Sequence, residues 1–188
     1  MIILASGSPR RKELLSLITE DFTIIPADID ETINEGIELF KQPQYLAEKK
    51  ARFVFENGHQ NDIVIGSDTG VFVDGKMIGK PSSTENAKQM LEELSGKKHI
   101  VVTGCSIISK NKCVSFSEKT TVEFYKLNDD EIDEYIATNE PMDKAGAYGI
   151  QGKGATLVKR IEGDYYNVVG LPVGTLKRKL KEISLISD

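Results

Sequence analysis

Two short stretches hold residue types that can do chemistry on an anion. Between Ser6 and Lys12 the chain reads Ser-Gly-Ser-Pro-Arg-Arg-Lys. Ser8 suits an N-cap and Pro9 the first helical position, so a helix starts here. A helix N-terminus already carries partial positive charge and orphan N–H donors, which favours acidic residues in the first turn and opposes cations. Arg10, Arg11 and Lys12 contradict that rule. Two readings resolve the conflict: a polyanion held by backbone N–H groups, the Ser6 and Ser8 hydroxyls and arginine forks, or a basic turn left to solvent. The second stretch is Gly66-Ser67-Asp68-Thr69, which follows the branched apolar run Ile63 to Ile65. It puts Asp68 just past the C-terminal end of a buried strand, where α/β folds place ligand chemistry, with Ser67 and Thr69 able to hydrogen-bond a ligand or the carboxylate itself. The alternative is an aspartate that caps a turn.

Further groups belong to the same chemistry. Asp28, Asp30 and Glu31 could supply one ligand to magnesium, which takes one or two protein carboxylates plus substrate phosphates, or could form a solvated acidic loop. Lys49 and Lys50 lie on adjacent faces of a helix, so at most one points at a given site. Lys80 precedes Pro81, whose ring restrains the lysine backbone. Together Arg10, Arg11, Lys50 and Lys80 as cations, with Asp68 and Glu31 as carboxylates for a metal and a water, specify a polyphosphate site. No serine, cysteine and histidine arrangement offers a covalent nucleophile, which leaves water as the attacker. Two glycine patterns are discarded. Gly70, Gly75 and Lys76 have P-loop spacing, but Met77 stands where Ser or Thr would bind magnesium, and Val71 to Val73 is strand-like. The glycines at 146, 149, 152 and 154 follow no apolar strand and precede no clear helix, so they are not a dinucleotide fingerprint.

Composition narrows the class. The 188 residues are 39% hydrophobic and 28% charged, enough to bury a sizeable core and too apolar for disorder. A net charge of −5 opposes non-specific nucleic-acid binding, so any anion site is local. Apolar runs are far too short for a membrane span, and Met1 leads directly into a strand. With two cysteines and two histidines, a zinc site or a histidine-rich metal centre is ruled out, and an unstapled domain suits a reducing, cytoplasmic setting.

These residues need a scaffold, and the periodicity supplies one. A strand at Ile2 to Ala5 enters the basic helix, which buries Leu14, Leu15 and Leu17. A short strand spans Phe22 to Ile25. Gln42 and Pro43 open a helix in which Tyr45, Leu46, Ala51, Phe53 and Val54 recur at helical spacing until Gly58. A hairpin turns at Asp74-Gly75, and Ser83 or Thr84 caps a helix ending at Gly96. Ile100 to Ile108 and Val114 to Leu127 form two long strands joined near Asn111. Asn128 caps an acidic helix start. Glu140 to Gly154 is irregular, its close glycines implying backbone that passes near something. Leu157 to Ile161 and Tyr165 to Val169 pair as strands across Gly163 and Asp164, and a last helix runs from Pro172 to about Ile183. Strands and helices that alternate among hairpins indicate a mixed α/β sheet.

The segments Leu4 to Leu15 (LASGSPRRKELL), Gly66 to Thr69 (GSDT), Gly79 to Pro81 (GKP), Leu94 to Gly96 (LSG), Asp143 to Gly152 (DKAGAYGIQG) and Gly163 to Pro172 (GDYYNVVGLP) resemble the Maf family of nucleoside triphosphate pyrophosphatases. The resemblance covers essentially the whole chain in order and implies a single domain over residues 1–188. It implies a fold similar to inosine-triphosphate pyrophosphatases, with a long twisted mixed β-sheet flanked by helices, two lobes and a central cleft, in a homodimer. It implies hydrolysis of a nucleoside triphosphate to the monophosphate and pyrophosphate with Mg²⁺ or Mn²⁺. Residue by residue, Asp68 matches the family's proton acceptor, Ser6, Arg11, Lys50 and Lys80 its phosphate-binding groups, and Glu31 a carboxylate near the metal. Arg10, Thr69 and Gln151 fall where substrate choice is made. The paired arginines and Ala147 to Gly152 resemble the branch acting on dTTP and UTP rather than the one acting on 7-methyl-GTP. Gln151 carries a donor and an acceptor that could match the O4 and N3–H edge of uracil or thymine. Asp68 either orients and deprotonates a water or binds the metal that activates it. Two other functions compete: a nucleotide-binding regulator of septum formation with little turnover, and a phosphatase acting on the terminal phosphate.

Overall fold

The computed structural model describes residues 1–184. Strand β1 (Ile2–Leu4) pairs in parallel with β2 (Thr23–Ile24) on one side and β3 (Ile63–Val73) on the other. A parallel strand with neighbours on both edges is apolar throughout, and Ile3 and Leu4 are fully buried. The crossovers are helical: α1 (Pro9–Ser16) leads from β1 to β2, and α2 (Gln42–Glu56) leads into β3. The remaining strands and α-helices are β4 (Lys76–Ile78), α3 (Thr84–Leu94), β5 (Lys98–Ser109), β6 (Lys112–Phe124), α4 (Asp129–Ile136), β7 (Val158–Glu162), α5 (Tyr165–Val169) and α6 (Val173–Ser184). The seven strands form one mixed sheet in the order β2-β1-β3-β5-β6-β7, with β4 hairpinned onto β3. The mixed α/β architecture expected from the sequence is therefore present.

The chain divides into two compact units, the first comprising Met1–Asp68, Thr103–Glu118 and Gly170 onward, the second Thr69–Val102 and Lys119–Val169. In the first, Ile3, Ala5, Ala51, Val54, Val64 and Ile108 pack together. In the second, Leu91, Leu94, Val122, Phe124, Ile132 and Tyr148 belong to one core. The sequence signals for α4 hold: Asn128 accepts from the Glu131 N–H while Glu131 accepts from the Asn128 N–H, a complete capping box.

Four expectations are corrected. Leu17 is 58% exposed, because α1 ends at Ser16 and the chain leaves the apolar face there. Phe53 is 39% exposed, one position off the buried stripe that ends in Val54. The short strand at Ile63 to Ile65 continues to Val73, so Asp68 lies within β3. Tyr165 to Val169 is helical, not a strand: Asp164 Oδ1 accepts the Tyr166 N–H at 2.8 Å and starts the turn. The fully buried Asn167 then donates to Val101 O and Thr120 Oγ1, and β7 pairs with β6 instead.

Candidate active site

The parallel ladder between β1 and β3 ends one step before the chemistry begins. Its last pair is Leu4 with Ile65, and the Ala5 N–H still reaches Ile65 O at 2.8 Å. Beyond it β1 turns away through Ser6-Gly7-Ser8 while β3 runs on through Ser67 and Asp68. Asp68 thus stands past the end of the ladder rather than past the end of the strand. Ser8 occupies the N-cap position of α1 with extended backbone, but its hydroxyl makes no capping bond. Ser6 Oγ instead accepts the Ser8 N–H at 3.3 Å. No acidic residue enters the first turn of α1, so the dipole rule is broken there as the sequence indicates.

Arg11 is fixed in two directions from this turn. Its Nη1 donates to Ser6 Oγ at 3.2 Å and its Nε to the Gly170 carbonyl at 3.0 Å. Ser67, fully buried, donates to the same carbonyl at 3.2 Å. Gly170 has φ of +128°, a conformation that side chains strain, so the carbonyl is presented from a position suited to glycine. Burial pulls the Arg11 pKa down from its ordinary value, and the Asp68 carboxylate is the largest opposing influence. Arg11 and Asp68 therefore share one electrostatic environment. Cys105, packed against Ser67, has its thiol pushed up to about 12 by burial, which leaves it an inert thiol rather than a nucleophile.

Helix α2 reaches Asp68 because it lies against the sheet with backbone touching backbone. A Cβ at Gly66 would stand 2.1 Å from Ala47 O, and one at Gly104 would stand 2.3 Å from the Gln44 backbone. Only glycine allows that approach, and it carries Lys50 over β3. The Lys50 ammonium, 10% exposed, lies 2.6 Å from Asp68 Oδ1 and 2.8 Å from Glu31 Oε1. Its neighbour Lys49 donates to the carbonyl of Asp30. Consecutive lysines thus hold consecutive residues of the acidic loop, and Lys50 alone of the two also meets Asp68. Asp30 Oδ1 accepts from Thr32 N–H and Oγ1 at 2.9 and 2.6 Å, which closes an Asx turn and lowers the Asp30 pKa. The acidic triplet therefore divides: Glu31 turns toward Lys50, Asp30 shapes the loop and Asp28 is exposed. Among the described residues no cluster of three or more His, Cys, Asp or Glu could hold a metal. Two carboxylates converging on one cation do match the protein share of a magnesium site completed by phosphates.

The first unit thus gathers Ser6, Arg11, Glu31, Lys50 and Asp68, with Arg10 partly buried at the start of α1. Thr69, Lys80 and Gln151 belong to the second. Lys80 is exposed beyond β4, where the Gly79 carbonyl accepts the Gly146 N–H at 3.0 Å. Gln151 is partly buried, and among the described residues neither its amide nor the Lys80 ammonium has a hydrogen-bond partner. The Gly170 carbonyl was not singled out from sequence as a site group. It carries no side-chain signal, and only the glycine at the end of GDYYNVVG marks the place.

The Maf family, described as Maf-like protein, matches residues 1–183. The chain belongs to the Maf family. A Maf relative from Bacillus mycoides, named dTTP/UTP pyrophosphatase, is 53% identical over 181 residues, covering 96% of this chain and 94% of its own. Another of that name, from Bacillus cereus, is 50% identical over 184 residues, covering 98% of this chain and 96% of its own. Among solved structures, the Ham1 protein of Staphylococcus aureus aligns with 66% of this Maf chain and 72% of its own at a TM-score of 0.45 and 20% identity.

Proposed function

We propose that this Maf protein hydrolyses nucleoside triphosphates, foremost dTTP and UTP, to the monophosphate and pyrophosphate by attack of water on the α-phosphorus. The observation that carries the reading is the pairing of Lys50 with Asp68 at 2.6 Å beside an Arg11 fixed by Ser6 and Gly170. The names of relatives at 50–53% identity support the substrate class. Cleavage between the α- and β-phosphorus needs charge neutralisation on the departing pyrophosphate and a positioned water, with little covalent work for the protein. Arg10 and Arg11 give bidentate contacts to phosphate oxygens, Ser6 and Lys50 serve the same group, and Lys80 is assigned a phosphate-binding role as well. Lys50 engages Oδ1 of Asp68, which leaves Oδ2 to orient the water and take its proton. Glu31 and Asp68 would hold Mg²⁺ or Mn²⁺, which when bound neutralises phosphate charge and lowers the pKa of water.

Thr69 and Gln151 choose the base in this proposal, with Gln151 pairing its amide to the O4 and N3–H edge of uracil or thymine. The thymine methyl adds only a modest apolar contribution, so both nucleotides are handled alike. The partnerless, half-buried amide of Gln151 supports this reading. A homodimer in the cytoplasm, with Cys105 and Cys113 both free thiols, completes it.

A pyrophosphate-release assay over canonical and modified triphosphates, with Mg²⁺ or Mn²⁺, tests the proposal. Pyrophosphate should appear in step with UMP or dTMP. Orthophosphate as the first product would make the protein a terminal phosphatase. Tight nucleotide binding with no release from any substrate would make it a regulator of septum formation instead.

A further inference from the structure

The segment that carries Gln151 is clamped on both sides. The Tyr135 hydroxyl, from α4, accepts the Gly149 N–H at 3.1 Å, two residues before it. Two and three residues after it, the N–H groups of Lys153 and Gly154 donate to Oε1 and Oε2 of Glu140 at 3.0 and 3.3 Å. Gly152–Leu157 form a six-residue 3₁₀ helix with Gln151 at its N-cap position, where the Gln151 side chain makes no capping bond. Glu140 supplies the cap from outside, its negative charge facing the N-terminal N–H groups where a carboxylate is most favourable. Gly152 is fitted to this carboxylate and Gly154 to the other side of the clamp. A Cβ at Gly152, whose φ is +64°, would stand 2.8 Å from Glu140 Oε1, and one at Gly154 would stand 2.1 Å from Gly149 O and 2.8 Å from the Tyr135 hydroxyl oxygen. Lys144 fastens Glu140 in turn by donating to its carbonyl.

Such a clamp matters because amide chemistry alone does not separate uracil from guanine. Uracil offers O4 as acceptor beside N3–H as donor, and guanine offers O6 beside N1–H, the same pair in the same order. The guanine edge lies farther from the ribose by the width of the extra ring. Discrimination between UTP and GTP by one glutamine is therefore a matter of where that glutamine is held.

We propose that Glu140 is a positioning residue for base selection: by capping the turn that follows Gln151, its carboxylate sets the reach of the Gln151 amide and so favours the pyrimidine edge over that of guanine. The inference rests on the base-reading role given to Gln151 above.

The experiment measures the ratio of kcat/KM for UTP to that for GTP in the wild type, Glu140→Gln, Glu140→Ala, Gln151→Ala and the Glu140→Ala/Gln151→Ala double variant, with thermal unfolding of each. Loss of two charge-assisted bonds in Glu140→Ala should lower the ratio roughly tenfold, mainly through KM for UTP. Glu140→Gln, which keeps one acceptor oxygen and tests the idea should the alanine variant not fold, should lower it about threefold. The double variant should discriminate no worse than Gln151→Ala alone, as expected of residues acting through one another. An unchanged ratio in folded Glu140→Gln, an equal loss on both nucleotides, or additive loss in the double variant overturns the inference while Gln151 keeps its role. An unchanged ratio in Gln151→Ala removes both.

Discussion

Lys50 Nζ stands 2.6 Å from Asp68 Oδ1, and the same ammonium meets Glu31 Oε1 at 2.8 Å, so one buried cation holds together the two carboxylates best placed for a metal. A divalent cation entering between those carboxylates competes with the ammonium for them. Lys50→Met should therefore tighten Mn²⁺ binding to the nucleotide-free protein, read by calorimetry. Turnover should fall by about 100-fold, since a charge that neutralises phosphate is lost. Weaker Mn²⁺ binding in the variant would show that Lys50 organises the carboxylates rather than competing for them.

Asp68→Asn separates holding from proton transfer. The amide oxygen can still accept from Lys50, so the contact at Oδ1 survives, but an amide takes no proton from water. Turnover should drop by about 10²- to 10⁴-fold with nucleotide affinity largely retained, measured by pyrophosphate release and by equilibrium binding. Near-normal turnover would remove Asp68 from the role of base.

Arg11 works through the shape of its guanidinium. Nε and Nη1 donate in two directions, to Gly170 O and Ser6 Oγ, and no ammonium can reproduce that fork. Arg11→Lys should raise KM for UTP roughly tenfold despite keeping the charge. Ser67→Ala removes the second donor to Gly170 O together with the weak acceptor of the Cys105 thiol, for about 1 kcal/mol of unfolding free energy, and should disturb KM less. Equal KM effects in the two variants would contradict the ordering.

The sequence made the chemical groups legible and the backbone around them less so. The cations of α1 betrayed themselves by opposing the helix dipole, and Asp68 by following a buried apolar run. The extent of β3 was hidden because Gly66-Ser67-Asp68-Thr69 reads as a loop. The strand continues because it loses only its β1 neighbour after Ile65 and keeps β5 on its other edge. The composition of Tyr165 to Val169 favours a strand, yet one Asx bond and the buried amide of Asn167 outweigh it. Gly170 acts through a carbonyl and Glu140 across a gap in sequence, and neither leaves a periodic signal.

Gly66→Ala tests the close approach that delivers Lys50. The added Cβ would lie 2.1 Å from Ala47 O and 2.9 Å from Ala51 N, both backbone atoms of α2 that cannot move without the helix. The cost should be about 3 kcal/mol in denaturant unfolding. Any folded protein should lose turnover more than Ser67→Ala does, because Lys50 shifts with α2. A variant as stable and active as the wild type would mean that α2 is not seated on β3 at this point.

His99 gives the protein an acid-sensitive core. It is 2% exposed, its Nε2 lies 2.7 Å from the Tyr148 hydroxyl, and among the described residues Nδ1 has no partner. Burial lowers its pKa to about 4, from an ordinary value near 6.5. In the unfolded chain His99 binds a proton as pH falls through about 6.5, whereas the folded protein resists until about 4, so the proton favours unfolding across that window. The contribution is fully present above the upper value and is lost on acidification, to a limit of about 3 kcal/mol. His99→Gln keeps a polar group beside Tyr148 and does not titrate. Urea unfolding from pH 7 to pH 4 should therefore fall less steeply for the variant than for the wild type. Parallel curves would place the acid sensitivity elsewhere.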